Sequence, residues 1–158
     1  MIRMKLWIKN TNSGFTIIEL LIVIAIAVVI AGLLFGAFLQ YARYQSYQQS
    51  VSEIALAVSQ VQAAARVATL DQDHGLAFTA NSIIQFTGSN YDVSATTNVS
   101  RTFANVQIIP TLTAGASELR LHKVTGFPNA TGTVLVVGTV YPATTTFSIS
   151  ATGVIQYD

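Results

Sequence analysis

Cysteine is absent from this 158-residue chain, which excludes disulfides, thiolate metal sites and a cysteine nucleophile. Charge is scarce. Asp, Glu, Lys and Arg make up 9% of the residues, against about 25% in ordinary soluble proteins. A chain so poor in charge either sits partly in lipid or packs most of its surface against something. The formal net charge of +1 hides an asymmetry. Arg3, Lys5 and Lys9 precede Gly14, whereas all seven acids follow it, leaving five bases against seven acids from Phe15 onward. No basic cluster remains there to neutralise several phosphates, so the folded part is not expected to contact nucleic acid. Histidine occurs twice, at His74 and His122. No G-x-S-x-G elbow or Gly-rich phosphate loop is present. The chain offers no residues for an active site and no cofactor motif, and it is not read as an enzyme.

What is plentiful is apolar sequence. Residues 14 to 36 read GFTIIELLIVIAIAVVIAGLLFG, and from Leu20 to Leu39 every residue is Leu, Ile, Val, Ala, Phe or Gly. Some 20 apolar residues match the hydrocarbon thickness of a bilayer, about 30 Å, giving a transmembrane span over about 17–39. The bases before it predict a cytoplasmic amino end and a carboxyl-terminal bulk outside. One carboxylate, Glu19, lies inside the run. An ionised side chain at mid-bilayer costs roughly 2.5–3.5 kcal/mol on insertion scales, and no Lys, Arg or His occurs between Lys9 and Arg43 to offset it. Glu19 therefore either snorkels to the headgroups or awaits a cation from elsewhere. A secretory signal peptide cut after Ala25-Ile26-Ala27 is the rival reading. It fits poorly, because the apolar run continues through Phe35 instead of ending at the small residues.

No proline interrupts residues 15–70, so one continuous helix is expected there. Beyond Leu39, Tyr44, Tyr47, Val51, Ile54, Val58, Val61, Ala65 and Ala68 recur at steps of three and four, the seam of an amphipathic helix. A coiled coil would favour Leu and Ile with flanking charges. The Gln, Ser and Ala beside this seam suit docking against a sheet of the same chain. Asp71-Gln72-Asp73-His74-Gly75 reads as a polar helix terminus with Gly75 in the closing turn. It lacks a convergent carboxylate for a metal. Beyond it, strands are expected at 82–86, 91–93, 103–109, 118–124, 133–140, 145–149 and 154–157. His122 should face solvent, 134–137 should be buried on both faces, and Pro110, Pro128 and Pro142 should mark strand ends. The fold class is α+β: a long N-terminal helix, transmembrane in its first half and amphipathic in its second, packed on a C-terminal antiparallel β-sheet head. The expected divisions are a basic leader at 1–14, the helix at 15–70 and a strand-rich head at 71–158.

The run Gly14-Phe15-Thr16-Ile17-Ile18-Glu19 resembles the processing signature of the type IV pilin and pseudopilin superfamily: a short basic leader ending in Gly, then Phe, then an apolar helix with Glu at its fifth residue. The resemblance implies that a prepilin peptidase cleaves between Gly14 and Phe15 and methylates the new amine of Phe15. It implies that Glu19 meets the amino terminus of a neighbouring subunit as a filament grows from an inner-membrane assembly platform. Its implied partners are that peptidase, other pilin or pseudopilin subunits, the platform and the lipid bilayer. The implied location is the bacterial inner membrane and then an extracellular or periplasmic filament. Many pilins have Pro in the apolar helix where this chain has Gly36, a weaker helix breaker that still permits local melting. Gly32 and Gly36 form a small-xxx-small pair that lets helices approach closely. The head is loosely similar to H-type pseudopilins and minor pilins, which implies a minor subunit of a type IV pilus or a type II secretion pseudopilus. A stationary, membrane-anchored binding module is the alternative.

Overall fold

The computed structural model describes residues 14–67 and 69–158. The expected leader lies outside these residues except for Gly14, and so does the seam position Ala68. Helix α1 spans Ile17–Arg66. Eight strands follow among the described residues: β1 His74–Phe78, β2 Ser82–Thr87, β3 Val99–Thr102, β4 Val106–Leu112, β5 Glu118–Leu121, β6 Gly132–Gly138, β7 Thr144–Ile149 and β8 Ile155–Tyr157. They form two four-stranded antiparallel sheets, ordered β3-β2-β1-β5 and β4-β6-β7-β8, where a single sheet was expected. The described chain divides after Leu39 into two units.

In the first unit the helix is apolar on all sides, and its large side chains are exposed among the described residues. Phe15, Ile17, Leu33 and Phe35 are 82, 81, 73 and 64% exposed. A helix that is hydrophobic all round belongs in a core or a bilayer. This one is long and apolar enough to cross a membrane.

In the second unit the same helix becomes one-sided. Tyr47, Val51, Ile54, Val58, Val61 and Ala65 are buried, as the seam predicts, whereas Tyr44 stays 39% exposed. They join one core with Leu76, Phe78, Ile83, Leu119 and Leu121 of the first sheet and Ile108, Val134, Val136, Phe147 and Ile149 of the second. Each such side chain taken from water is worth roughly 1.5–3 kcal/mol. Polar ties fix the register. The Tyr47 hydroxyl donates to Thr145 Oγ1 at 2.8 Å, Gln62 Nε2 to the Gly153 carbonyl at 2.9 Å, and Gln85 Nε2 to the Ala57 carbonyl at 3.2 Å.

The helix closes at Arg66, earlier than expected, and Gly75 plays no part in its closure. The Val124 N–H reaches back to the Ala65 carbonyl at 2.8 Å, satisfying one of the orphan acceptors of the last turn. The chain then reverses through a short 3-10 turn, Thr69–Asp71, in which Leu70 and Asp71 take φ of 60° and 55°. Val124 also sits at φ 72°. Non-glycine residues held in this region cost of order 1–3 kcal/mol each.

Gly75 lies instead in β1, paired with Phe86 and Arg120. Here β1 is the strand buried along its whole length. Its lack of β-branched residues concealed it. A run of 134–137 buried on both faces is not observed, because only Val134 and Val136 are buried while Leu135 and Val137 are half-covered. The strand expected at 91–93 is a loop. Asp92 Oδ1 accepts hydrogen bonds from the Ser94 N–H at 2.8 Å and hydroxyl at 2.7 Å, and such local side-chain bonds compete with a ladder. Sequence reading also missed β3, four mostly exposed residues at a sheet edge. Pro110 lies inside β4 rather than at its end. The Ile108 N–H points away from β6 to the Ala80 carbonyl at 2.8 Å, so Pro110, two residues on, lacks its donor only on the outer edge.

Two outcomes follow. A Cβ on Gly75 would lie 2.3 Å from the Phe86 ring and 2.8 Å from the Leu119 carbonyl oxygen. Gly75→Ala should cost about 1–3 kcal/mol through overpacking, read by thermal or urea unfolding of the full chain in detergent. The Ser94 hydroxyl and N–H hold the Asp92 carboxyl below its ordinary range. Its turn is therefore favoured above the usual aspartate pKa, and that contribution fades as pH falls through the lowered folded value. NMR titration should place Asp92 below an unstructured aspartate, and Ser94→Ala should move it up.

Candidate functional site

Of the residues nominated from the sequence, Gly14, Phe15 and Glu19 lie at the start of α1, and Gly32 and Gly36 lie farther along it. Gly14, Phe15 and Thr16 precede the helix in non-helical conformation and are exposed. Thr16 is the reason the helix starts where it does. Its Oγ1 accepts a hydrogen bond from the Glu19 N–H at 3.3 Å, and its carbonyl accepts one from the Leu20 N–H at 3.2 Å. That is an N-cap, in which a short hydroxyl side chain outside the helix satisfies a donor of the first turn. Thr16-Ile17-Ile18-Glu19 has the spacing of a capping box. The S/T-x-x-E signal was present in the sequence and was not used.

The cap places Glu19 in the first turn of α1, where a carboxylate lies near the positive end of the helix macrodipole, typically worth 0.3–1 kcal/mol. Glu19 is exposed. The dipole term is several times smaller than the insertion cost of a charge at mid-bilayer, so the helix end alone leaves most of that cost standing. Gly32 and Gly36 lie one turn apart on the same helix face. A Cβ added to either would meet nothing within 4 Å. Packing within the described chain therefore does not require a small residue at these positions.

The strand-rich unit holds a polar cluster where helix expectations placed Asp71 to His74. Asp73 accepts the Lys123 N–H at 2.8 Å and lies 3.7 Å from Arg120 Nε and 3.5 Å from His122 Nδ1. The Lys123 ammonium pairs with Asp71 at 2.9 Å. His122 follows β5 and is half exposed, as expected, though it faces Asp73 rather than open solvent alone. His74, in the middle of a sheet, is buried, and its Nδ1 is 3.5 Å from Thr87 Oγ1. The cluster ties the chain leaving α1 to the end of β5. An open depression of about 400 Å³ lies beside it, lined by Asp71, Gln72, Asp73, Gly88, Ser89 and Lys123. Among the described residues no group of three or more His, Asp or Glu is placed to hold a metal ion.

The cap makes a direct forecast. Thr16→Val keeps shape but removes the acceptor, which should cost about 1 kcal/mol of helix-end stability. Hydrogen exchange at the Glu19 amide should quicken by roughly fivefold, since 1.4 kcal/mol is tenfold, and Thr16→Ser should restore protection.

Residues 9–35 match a family model described as the prokaryotic N-terminal methylation motif. No curated protein and no solved structure matches the chain. The motif covers Gly14, Phe15, Glu19 and Gly32 and stops just short of Gly36. Together with the long apolar helix, it is consistent with a type IV pilin-like protein and fits anchoring in a membrane.

Proposed function

We propose that this chain is a structural subunit, a minor pilin or pseudopilin, built for extraction from the inner membrane into a type IV pilus or a type II secretion pseudopilus. The reading rests above all on the coincidence of the methylation motif at 9–35 with a helix segment, before Leu39, whose apolar side chains are exposed among the described residues. A prepilin peptidase adds water across the Gly14–Phe15 amide, leaving a carboxylate on Gly14 and an amine on Phe15; that amine then takes a methyl group from a sulfonium donor, which leaves as the thioether, and loses a proton. Exposure of Gly14 and Phe15 ahead of the helix supports this, because a peptide outside the helical ladder is free to enter a protease cleft. Arg3, Lys5 and Lys9 keep the leader cytoplasmic, and the strand-rich unit lies outside.

Glu19 is the assembly residue. Two unit charges 4 Å apart attract by about 4 kcal/mol at an effective dielectric near 20. A positive amino terminus supplied by a neighbouring subunit therefore offsets the roughly 2.5–3.5 kcal/mol that the carboxylate costs in lipid. A subunit out of register leaves that charge unpaired. Gly32 and Gly36 give neighbouring helices a place to approach, which fits the open space around them among the described residues.

The intact mass of protein from the native membrane should lack residues 1–14 and carry one extra methyl group. A chain that keeps its leader would overturn the reading. Glu19→Gln should insert and be cleaved normally, yet enter filaments roughly tenfold less or worse, since losing even 1.4 kcal/mol of pairing is tenfold. A stationary binding module would tolerate the same change.

A further inference from the structure

We propose that the end of the C-terminal unit where α1 finishes is a docking surface for a separate protein that presents an apolar face bearing one carboxylate. Val67, Leu70, Val124 and Phe127 are 77, 72, 69 and 51% exposed. They lie on segments bonded to one another. The Val124 N–H holds the Ala65 carbonyl at 2.8 Å, and Lys123 Nζ reaches the Asp71 carbonyl at 3.1 Å.

Stability does not account for this patch. Leu70 and Val124 occupy left-handed backbone, with φ of 60° and 72°, a region where glycine or asparagine fits far better and a β-branched residue fits worst. Folding is therefore disfavoured twice at these positions, once by the strained backbone and again by the large apolar side chain left in water. A residue kept against both costs is explained by what its side chain touches when a partner is present.

Charge selects the partner. Asp71 is paired with Lys123, and Asp73 with Arg120 and His122. Arg66 ends α1 with its stem against Gly126 and has no carboxylate within ion-pair distance among the described residues. An unpaired guanidinium amid exposed apolar groups is the composition of an interface hot spot, and it calls for a carboxylate that can accept two N–H bonds. An anionic membrane surface fits less well, because Asp71, whose side chain is 88% exposed, borders Leu70 and would repel it.

The native chain has no cysteine, so Thr125→Cys, in the same turn as Val124, gives the full chain a unique handle for a thiol-linked benzophenone. Illumination in the host's own membranes should join it to one protein, identified by mass spectrometry. Arg66→Glu and Val124→Asn should each lower that yield roughly fivefold or more. Val124→Asn should also raise the melting temperature by a few degrees. Adducts only with lipid, only with a second copy, or spread evenly over many proteins overturn the proposal. So does a yield indifferent to Arg66→Glu, or a melting temperature that fails to rise in Val124→Asn.

Discussion

The strand-rich unit depends on one stripe of side chains, Tyr47 to Ala65, being taken out of water. Two four-stranded sheets of short strands have little apolar surface with which to cover each other. The α1 stripe reaches inner residues of both, from Leu76 and Leu119 on one side to Val134 and Phe147 on the other. Hydrophobic burial has no direction of its own, so the polar ties are what make the seating unique. Gln85 of β2 binding the Ala57 carbonyl, and Gln62 binding the Gly153 carbonyl in the β7–β8 turn, each fix one segment of the strand-rich unit against one turn of the helix. A one-residue slip of any strand would turn its apolar set outward. The same helix obeys a different rule before Leu39. There, apolar groups cover every side, and only a partner of equal polarity, lipid or another helix, satisfies them.

Much of this was legible in the residues, and the reason differs from element to element. The seam was readable because a helix repeats every 3.6 residues over many turns, and six of its seven described positions are buried. Six strands fell close to their expected places because Val, Ile, Phe and Thr alternate there with turn residues between. Strand β1 escaped because His74-Gly75-Leu76-Ala77-Phe78 owes its place to tight packing rather than propensity. Gly75 is there to admit the Phe86 ring, and nothing in a single sequence distinguishes that glycine from one that ends a helix. The real terminator is a long-range contact, the Val124 N–H reaching Ala65, between residues 59 positions apart.

The candidate site was nominated on a different ground: its residues are defined by local spacing. Glycine, phenylalanine and a glutamate four residues beyond it are neighbours in sequence and remain neighbours in space. The N-cap adds the physical link between them. By ending the helix at Thr16, the chain leaves Gly14 and Phe15 outside the ladder while holding Glu19 inside the first turn. Under the proposed function, cleavage and assembly ask opposite things of neighbouring residues, an open backbone and a fixed carboxylate. A single threonine hydroxyl separates the two.

The far end of α1 resolves a similar conflict in the other direction. There the closing turn contains no glycine at the positions that need left-handed backbone, although Gly126 sits next to them with φ 68°. Glycine was therefore compatible with this turn, yet leucine and valine occupy the harder positions and project into solvent. Local propensity and global fold usually agree in a natural sequence, and disagreement at two residues, Leu70 and Val124, points to a choice set by something besides folding. The two ends of the helix thus differ in kind. At the first, each local preference agrees with the fold and the demand lies in one carboxylate that has no ion-pair partner among the described residues. At the second, the charges are largely paired and the demand lies in the backbone.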